Sequence, residues 1–328
     1  MKLVLSHETA LQLLRSNREL GHERIEPSRI RTLNDCARSL QDVETFALPF
    51  LTDNAKAIHI LIPRTSSKYS SKTHVCHTMS GEIPRGSFCR VGDGVYAPSP
   101  ELLLVQMANG KMSPVEIALL GLELCGTYTL LASGNFGFYN CPAITSREQI
   151  EAFAKRAAHI RGSAAVLQGL RWVVDGSNSP MESALMLYLC LPVRLGGYGF
   201  PLPSLNPEKP LSAKATQMLQ QETIRCDLHW VKEHVVVEYD SSQEHLNAAT
   251  SVRDSKRRNT LGYEKTQVIT VTPSMIARPA EFDSVARQLA RALHKRMRPD
   301  AFVLSQARSE LRMKLFPWLR HLPDFQLF

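Results

Sequence analysis

Residues Asp227 to Asp240 read D-L-H-W-V-K-E-H-V-V-V-E-Y-D, and few folds accommodate such a run. Two runs of strand-forming residues flank a polar Lys232-Glu233-His234 segment, which predicts a β-hairpin. With Val231 to His234 as a four-residue turn, antiparallel pairing sets Trp230 opposite Val235 and Asp227 opposite Glu238. Side chains alternate along a strand, and paired residues share a face. One face then carries Cys226, Leu228, Trp230, Val235, Val237 and Tyr239, and the other Arg225, Asp227, His229, Val236, Glu238 and Asp240. The first face is expected on a core and the acidic one outward. Like charges directly opposed on paired strands destabilise a sheet. Three carboxylates kept on one face therefore suggest a cation held between them.

The flanking sequence supplies the rest of an α/β arrangement. Ser179-Pro180-Met181-Glu182 opens a helix, with Ser as N-cap and Pro as first helical residue. Gly196 to Pro210 reads as a strand end and loop, Gln243 to Leu261 as a polar helix closed by Gly262, Gln267 to Thr272 as a strand, and Pro279 to Met297 as an amphipathic helix. A mixed sheet flanked by helices is the natural packing of that order. The polar stretch Asp175-Gly176-Ser177-Asn178 marks a boundary, giving domains at 1–174, 175–298 and a basic C-terminal helix and tail at 299–328.

Before the boundary, residues 1–60 read as mainly helical, Ala57 to Pro63 as a buried strand, and Val91 to Pro100 as turn and strand. Ser99-Pro100-Glu101 and Ser113-Pro114-Val115-Glu116 are helix starts, the second with a capping-box glutamate, and Ser146 to Gly162 is a further helix. The expectation is a mainly helical α+β N-terminal domain.

The net charge of +8 and pI near 9.2 favour a polyanionic partner. From Arg278 onward ten Lys/Arg stand against five Asp/Glu. Seven scattered cysteines suit a reducing cytoplasm better than a disulfide framework. The start MKLVLSHETALQLL does not read as a signal peptide, and no apolar run approaches the roughly 18 residues a membrane span needs. His74, Cys76, His77 and Cys89 have the spacing of no standard zinc finger and are read as scattered core or surface residues.

The ordered set Ser179, Pro180 and Glu182, then Asp227 and Trp230, then Glu238, Asp240 and His245, then Arg253, Asp254, Arg257, Leu261 and Gly262 resembles the Vsr-like (very-short-patch-repair-like) endonuclease-fold family of the PD-(D/E)XK nuclease superfamily. The likeness spans roughly residues 175–297. It implies a restriction-endonuclease-like core that hydrolyses phosphodiester bonds with Mg²⁺ or Mn²⁺, DNA as the partner, and a setting in phage defence or a mobile element. Asp240 stands where the superfamily's usual lysine would be, and Ser241 where a glycine is usual. The segment from His59 through Arg90–Tyr96 to Met107 loosely resembles the middle of AbiEi-type antitoxin proteins, which suggests a partner protein from a defence or toxin–antitoxin operon.

On this reading Asp227, Glu238 and Asp240 are metal ligands, because Mg²⁺ takes carboxylate oxygens and keeps open water positions. Glu182 is either a member of the site or the structural carboxylate of a capped helix start. His229 and His245 could assist proton transfer or be plain polar residues. Arg253, Lys256 and Arg257 are expected on phosphate, against the alternative of an Asp254–Arg257 pair along a solvated helix. Double-strand cleavage by one site per chain would need a homodimer or two sequential nicks. The alternative functions are a nuclease-fold DNA-binding or antitoxin-like regulator that does not cut, and a protein-interaction module.

Overall fold

A computed structural model describes residues 1–21, 26–28, 30, 33–37, 39–46, 48, 57–63, 71–79, 81–110, 112–134, 136–240, 248–297 and 302–321, without the side chains of 26–27, 40, 248–254 and 302–303. Helices and mixed sheets alternate along the chain. It divides into two compact units, Met1–Asp175 and Gly176–Phe328.

In the first unit, β1 (Leu3–Val4) leads into α1 (His7–Glu19), followed by β2 (Ile58–Ile62), β3 (His74–Thr78), β4 (Phe88–Gly92) and β5 (Val95–Pro98). Strand β5 pairs parallel with β1 and antiparallel with β4, while β2 and β3 form a separate parallel pair. The two expected serine-capped helices are present as α2 (Pro100–Ala108) and α3 (Pro114–Cys125). Ser113 and Glu116 form the complete reciprocal cap. The helix expected over 146–162 stops early, as α4 (Arg147–Arg156), and a separate short helix, α5 (Ser163–Gly169), follows beyond that range. Gly162, the residue just ahead of α5, holds φ 104°, and a Cβ there would stand 2.1 Å from the carbonyl oxygen of Val105. Only glycine tolerates that approach.

In the second unit, α6 (Pro180–Cys190) is buried from Glu182 to its end. It is followed by β6 (Ser204–Leu205), β7 (Glu208–Pro210), α7 (Ala213–Leu219), β8 (Thr223–Arg225), β9 (Leu228–Trp230), β10 (Val235–Tyr239), α8 (Ala248–Tyr263), β11 (Gln267–Val271), α9 (Pro279–Ala292) and α10 (Phe302–Leu315). The main sheet runs β11-β10-β9-β6, with β11 parallel to β10 and the other pairs antiparallel. Strands β7 and β8 form a small antiparallel ladder, with β7 at the end of the stretch read as strand end and loop. The hairpin has the expected register, with Leu228 opposite Val237 and Trp230 opposite Val235. His234 closes the turn in the left-handed region, at φ 55°.

The expectation of an outward acidic face is overturned. Val235 and Val237 are buried on one side of β10, and Val236 is buried on the other beneath Leu261 of α8. Cys226 also leaves its expected face, because the chain bends between β8 and β9 and the thiol joins Ile224, Val236 and Leu261. Helix α8 does not stop at Gly262. It runs through to Tyr263, and the left-handed residue beyond it is Lys265, at φ 54°. Helix α9 ends at Ala292, short of Met297. The basic C-terminal helix is not an appendage. Arg312 donates to the carbonyls of Ile276 and Ala277, and Arg308 lies over the Tyr198 ring. The tail Phe325–Phe328 lies outside the described residues.

Two glycines test this packing with opposite signs. A Cβ at Gly197 would sit 2.0 Å from the Leu191 carbonyl oxygen, whereas one at Gly262 meets nothing within 4 Å. Gly197→Ala is expected to destabilise the unit by about 1–3 kcal/mol through overpacking. Gly262→Ala, inside a helix, is expected to stabilise it by about 0.5–1 kcal/mol. Urea midpoints of the two variants check both.

Candidate functional site

The site is built where β9 and β10 leave their pairing. Asp227 stands one residue before β9, just past the last pair Leu228–Val237, and Glu238 follows Val237 on β10. Asp227 is held at both ends. Its carbonyl accepts from the backbone N–H of Asn206 (3.0 Å), and its Oδ2 accepts from the N–H of Tyr239 (2.8 Å). Asn206 sits at φ 47°, a backbone conformation asparagine tolerates better than most residues. Its amide donates to the Gly176 carbonyl (3.0 Å) and to Glu182 Oε2 (2.5 Å). Sequence reasoning missed this residue. Its role depends on partners about 20 to 30 positions away, and the left-handed turn is the one local signal it leaves.

Glu182 answers the question the sequence left open. Its carboxylate accepts from the Asn178 N–H (2.9 Å) and the Ser179 hydroxyl (3.0 Å), while Ser179 Oγ accepts from the Glu182 N–H (3.2 Å). It therefore stabilises the start of α6. It is also buried, and its charge reaches Asp227. Burial, then the Glu182 charge, push Asp227 up to about 7, with Glu238 adding to the rise and the Tyr239 N–H opposing it. Burial likewise raises Glu182 against its three hydrogen bonds.

Glu238 is met by Arg257 from α8. The guanidinium donates to Oε1 through Nε (3.1 Å) and Nη2 (2.6 Å), and Nη2 also reaches the carbonyl of Arg225. The expected phosphate contact of Arg257 is thus replaced by an ion pair inside the site. Lys256 is exposed. His245 and the side chains of Arg253 and Asp254 lie outside the described residues.

Asp240 continues β10 and donates its N–H to Val271 (2.9 Å). The acidic residues do not converge as a tight triple. Among the described residues, the group of three metal-ligating side chains with donor atoms within 4.8 Å of one another is His7, His59 and His77. Glu182 is drawn to its helix start and Glu238 to Arg257, which leaves Asp227 and Glu238 as the pair at the end of the hairpin ladder. His229 is buried, and neither ring nitrogen has a hydrogen-bond partner among the described residues. Burial, with Lys209 and His234 nearby, lowers its pKa and keeps it neutral. Tyr198 and Phe200 belong to the aromatic core with Tyr188 and Phe282 and are not available to stack on a base.

Comparison with family models, with curated proteins and with solved structures finds no match.

An acid whose folded pKa is raised stabilises the fold while protonated. That contribution is complete below the ordinary 3.8 and is lost as pH rises through about 7. Asp227→Asn is permanently neutral and keeps an acceptor for the Tyr239 N–H. The variant should gain stability relative to the wild type as pH rises across that window. Urea midpoints measured along the pH series check it, and parallel profiles for the two proteins would contradict it.

Proposed function

We propose that residues 176–328 form a divalent-metal-dependent endonuclease that hydrolyses phosphodiester bonds in DNA, with Asp227 and Glu238 as the metal-holding pair. One observation carries the reading. Asp227 and Glu238 lie at the end of the hairpin ladder within electrostatic reach of each other, and each has one oxygen with no hydrogen bond among the described residues. Asp227 Oδ2 is taken by the Tyr239 N–H, and Glu238 Oε1 by Arg257. The remaining Oδ1 and Oε2 are hard, anionic donors of the kind Mg²⁺ and Mn²⁺ prefer. The order helix, strand, two-stranded hairpin, helix and parallel strand in α6, β6, β9–β10, α8 and β11 supports a restriction-endonuclease-like core. The net charge of +8 suits a polyanionic substrate.

A bound divalent cation would polarise the scissile phosphate and lower the pKa of a coordinated water. The chain's own residues prepare that chemistry. Glu182 and Glu238 raise the affinity of the Asp227 pocket for positive charge. Asn206 and the Tyr239 N–H fix the orientation of Asp227, so that little ordering is left for the reaction itself. Arg257 holds Glu238 in place and neutralises it. Asp240 follows on the same strand and can order a second water.

The test is cleavage of supercoiled plasmid and of single-stranded DNA in Mg²⁺ or Mn²⁺. The wild type is expected to cut, with loss of on the order of 100-fold or more in rate in Glu238→Ala and in Asp227→Ala. Cutting that survives either substitution would place the chemistry elsewhere. DNA binding without cutting under either metal would favour the regulator reading, which the ion pair between Arg257 and Glu238 and the presence of Asp240 in place of a lysine already motivate.

A further inference from the structure

We infer that His7, His59 and His77 form a binding site for a divalent transition metal of the zinc class in the first unit. The inference rests on residues 1–175 alone and is independent of the carboxylate site.

The three imidazoles are brought together from distant parts of the sequence. Strands β2 and β3 run parallel with Leu61 opposite His77 and His59 opposite Val75, so His59 and His77 are diagonal neighbours on one face. Their ring nitrogens are hydrogen-bonded, His77 Nε2 to His59 Nδ1 at 3.0 Å, with the ring planes 24° apart. His74 and Cys76 alternate onto the opposite face, which is why the cluster escapes a reading by spacing along β3.

His7 arrives from above. The Ser6 N–H donates to the His59 carbonyl (3.0 Å), and the His59 N–H donates to Thr9 Oγ1 (2.8 Å). Both backbone groups of His59 are therefore bound to the start of α1, and His7 lies between those two contacts. Its ring stacks on His77 with centroids 3.6 Å apart and planes 17° apart.

Three further features point to a ligand. His7 holds φ 46°, an uncommon backbone conformation for a residue with a Cβ, and the fold maintains it where its ring faces two others. Its Nδ1 is buried with no hydrogen-bond partner among the described residues, a cost that a coordinate bond would remove. Burial and the neighbouring imidazoles lower its pKa to about 3, so the ring is in the neutral form that binds metal.

The donor atoms lie within 4.8 Å of one another. In a tetrahedral zinc site with Zn–N bonds of 2.0–2.1 Å, neighbouring nitrogens are about 3.3 Å apart, close to the His59–His77 spacing, and the stacked His7 and His77 rings would turn to aim their donor atoms at one ion. Three nitrogens suit zinc and its late first-row neighbours rather than Mg²⁺. They leave the fourth tetrahedral position for water or an anionic ligand.

The test uses the full-length chain, stripped with a chelator and titrated with Zn²⁺ against a chromophoric competitor. Co²⁺ serves as a spectroscopic probe of tetrahedral geometry. One Zn²⁺ per chain is expected, with affinity reduced about 100-fold or more in His77→Ala and His59→Ala. His7→Gly, which accepts the left-handed backbone without strain, should lose the site while remaining folded. Asp227→Asn should retain it, which separates this site from the carboxylates. The wild type should also gain melting temperature with Zn²⁺ by mass action. Absence of bound Zn²⁺ in the wild type, or Zn²⁺ that persists unchanged in the three histidine variants, would overturn the inference and leave a hydrogen-bonded histidine cluster.

Discussion

The second unit is organised around one electrostatic problem, the burial of Asp227 beside two other carboxylates. Its carboxyl lies where the chain bends from one ladder into the next, and its backbone and side chain are each tied by a hydrogen bond. Around it stand a glutamate held by a helix start and a glutamate held by an arginine. The protein meets part of the cost by raising the Asp227 pKa to about 7 and part with the Arg257 cation. Neither device removes the repulsion, because Asp227 still feels both neighbours. A divalent cation held by Asp227 and Glu238 would offset it, and under the proposed function that cation would also serve the hydrolysis.

Arg257 gives this arrangement a second aspect. A guanidinium cannot lose its proton and presents its donors in a rigid fork. It fixes the Glu238 carboxylate through one oxygen while the other stays unclaimed among the described residues. Its further contact with the Arg225 carbonyl ties α8 to the strand that precedes Asp227. Arg257 on Oε1 therefore leaves Glu238 able to help hold a cation under the proposed function without giving up the ion pair.

Much of the site's frame was legible in the sequence, because strand alternation and turn length fix a hairpin register. Helix starts were legible too, since Ser-Pro-x-Glu satisfies the first-turn donors within four residues. What escaped depended on distant partners or on tertiary covering. The side taken by Cys226 could not be read from alternation, because the chain changes ladders beside it. Arg257 had a plausible local partner in Asp254, and only the docking of α8 directs it to Glu238. The left-handed glycine ahead of α5 reflects the approach of the Val105 carbonyl from another helix, which no local pattern signals. The histidine cluster was invisible for the same reason, as His7, His59 and His77 share no spacing rule and meet only through the pairing of β2 with β3 and the anchoring of α1.

The central claim is that Asp227 and Glu238 together hold a divalent cation, and a crystal of the full-length chain grown with Mn²⁺ tests it most directly. The account predicts an anomalous difference peak within coordination distance of both carboxylates, with Arg257 still on Glu238. A crystal with no peak there, or with Mn²⁺ bound only at other residues, would contradict it.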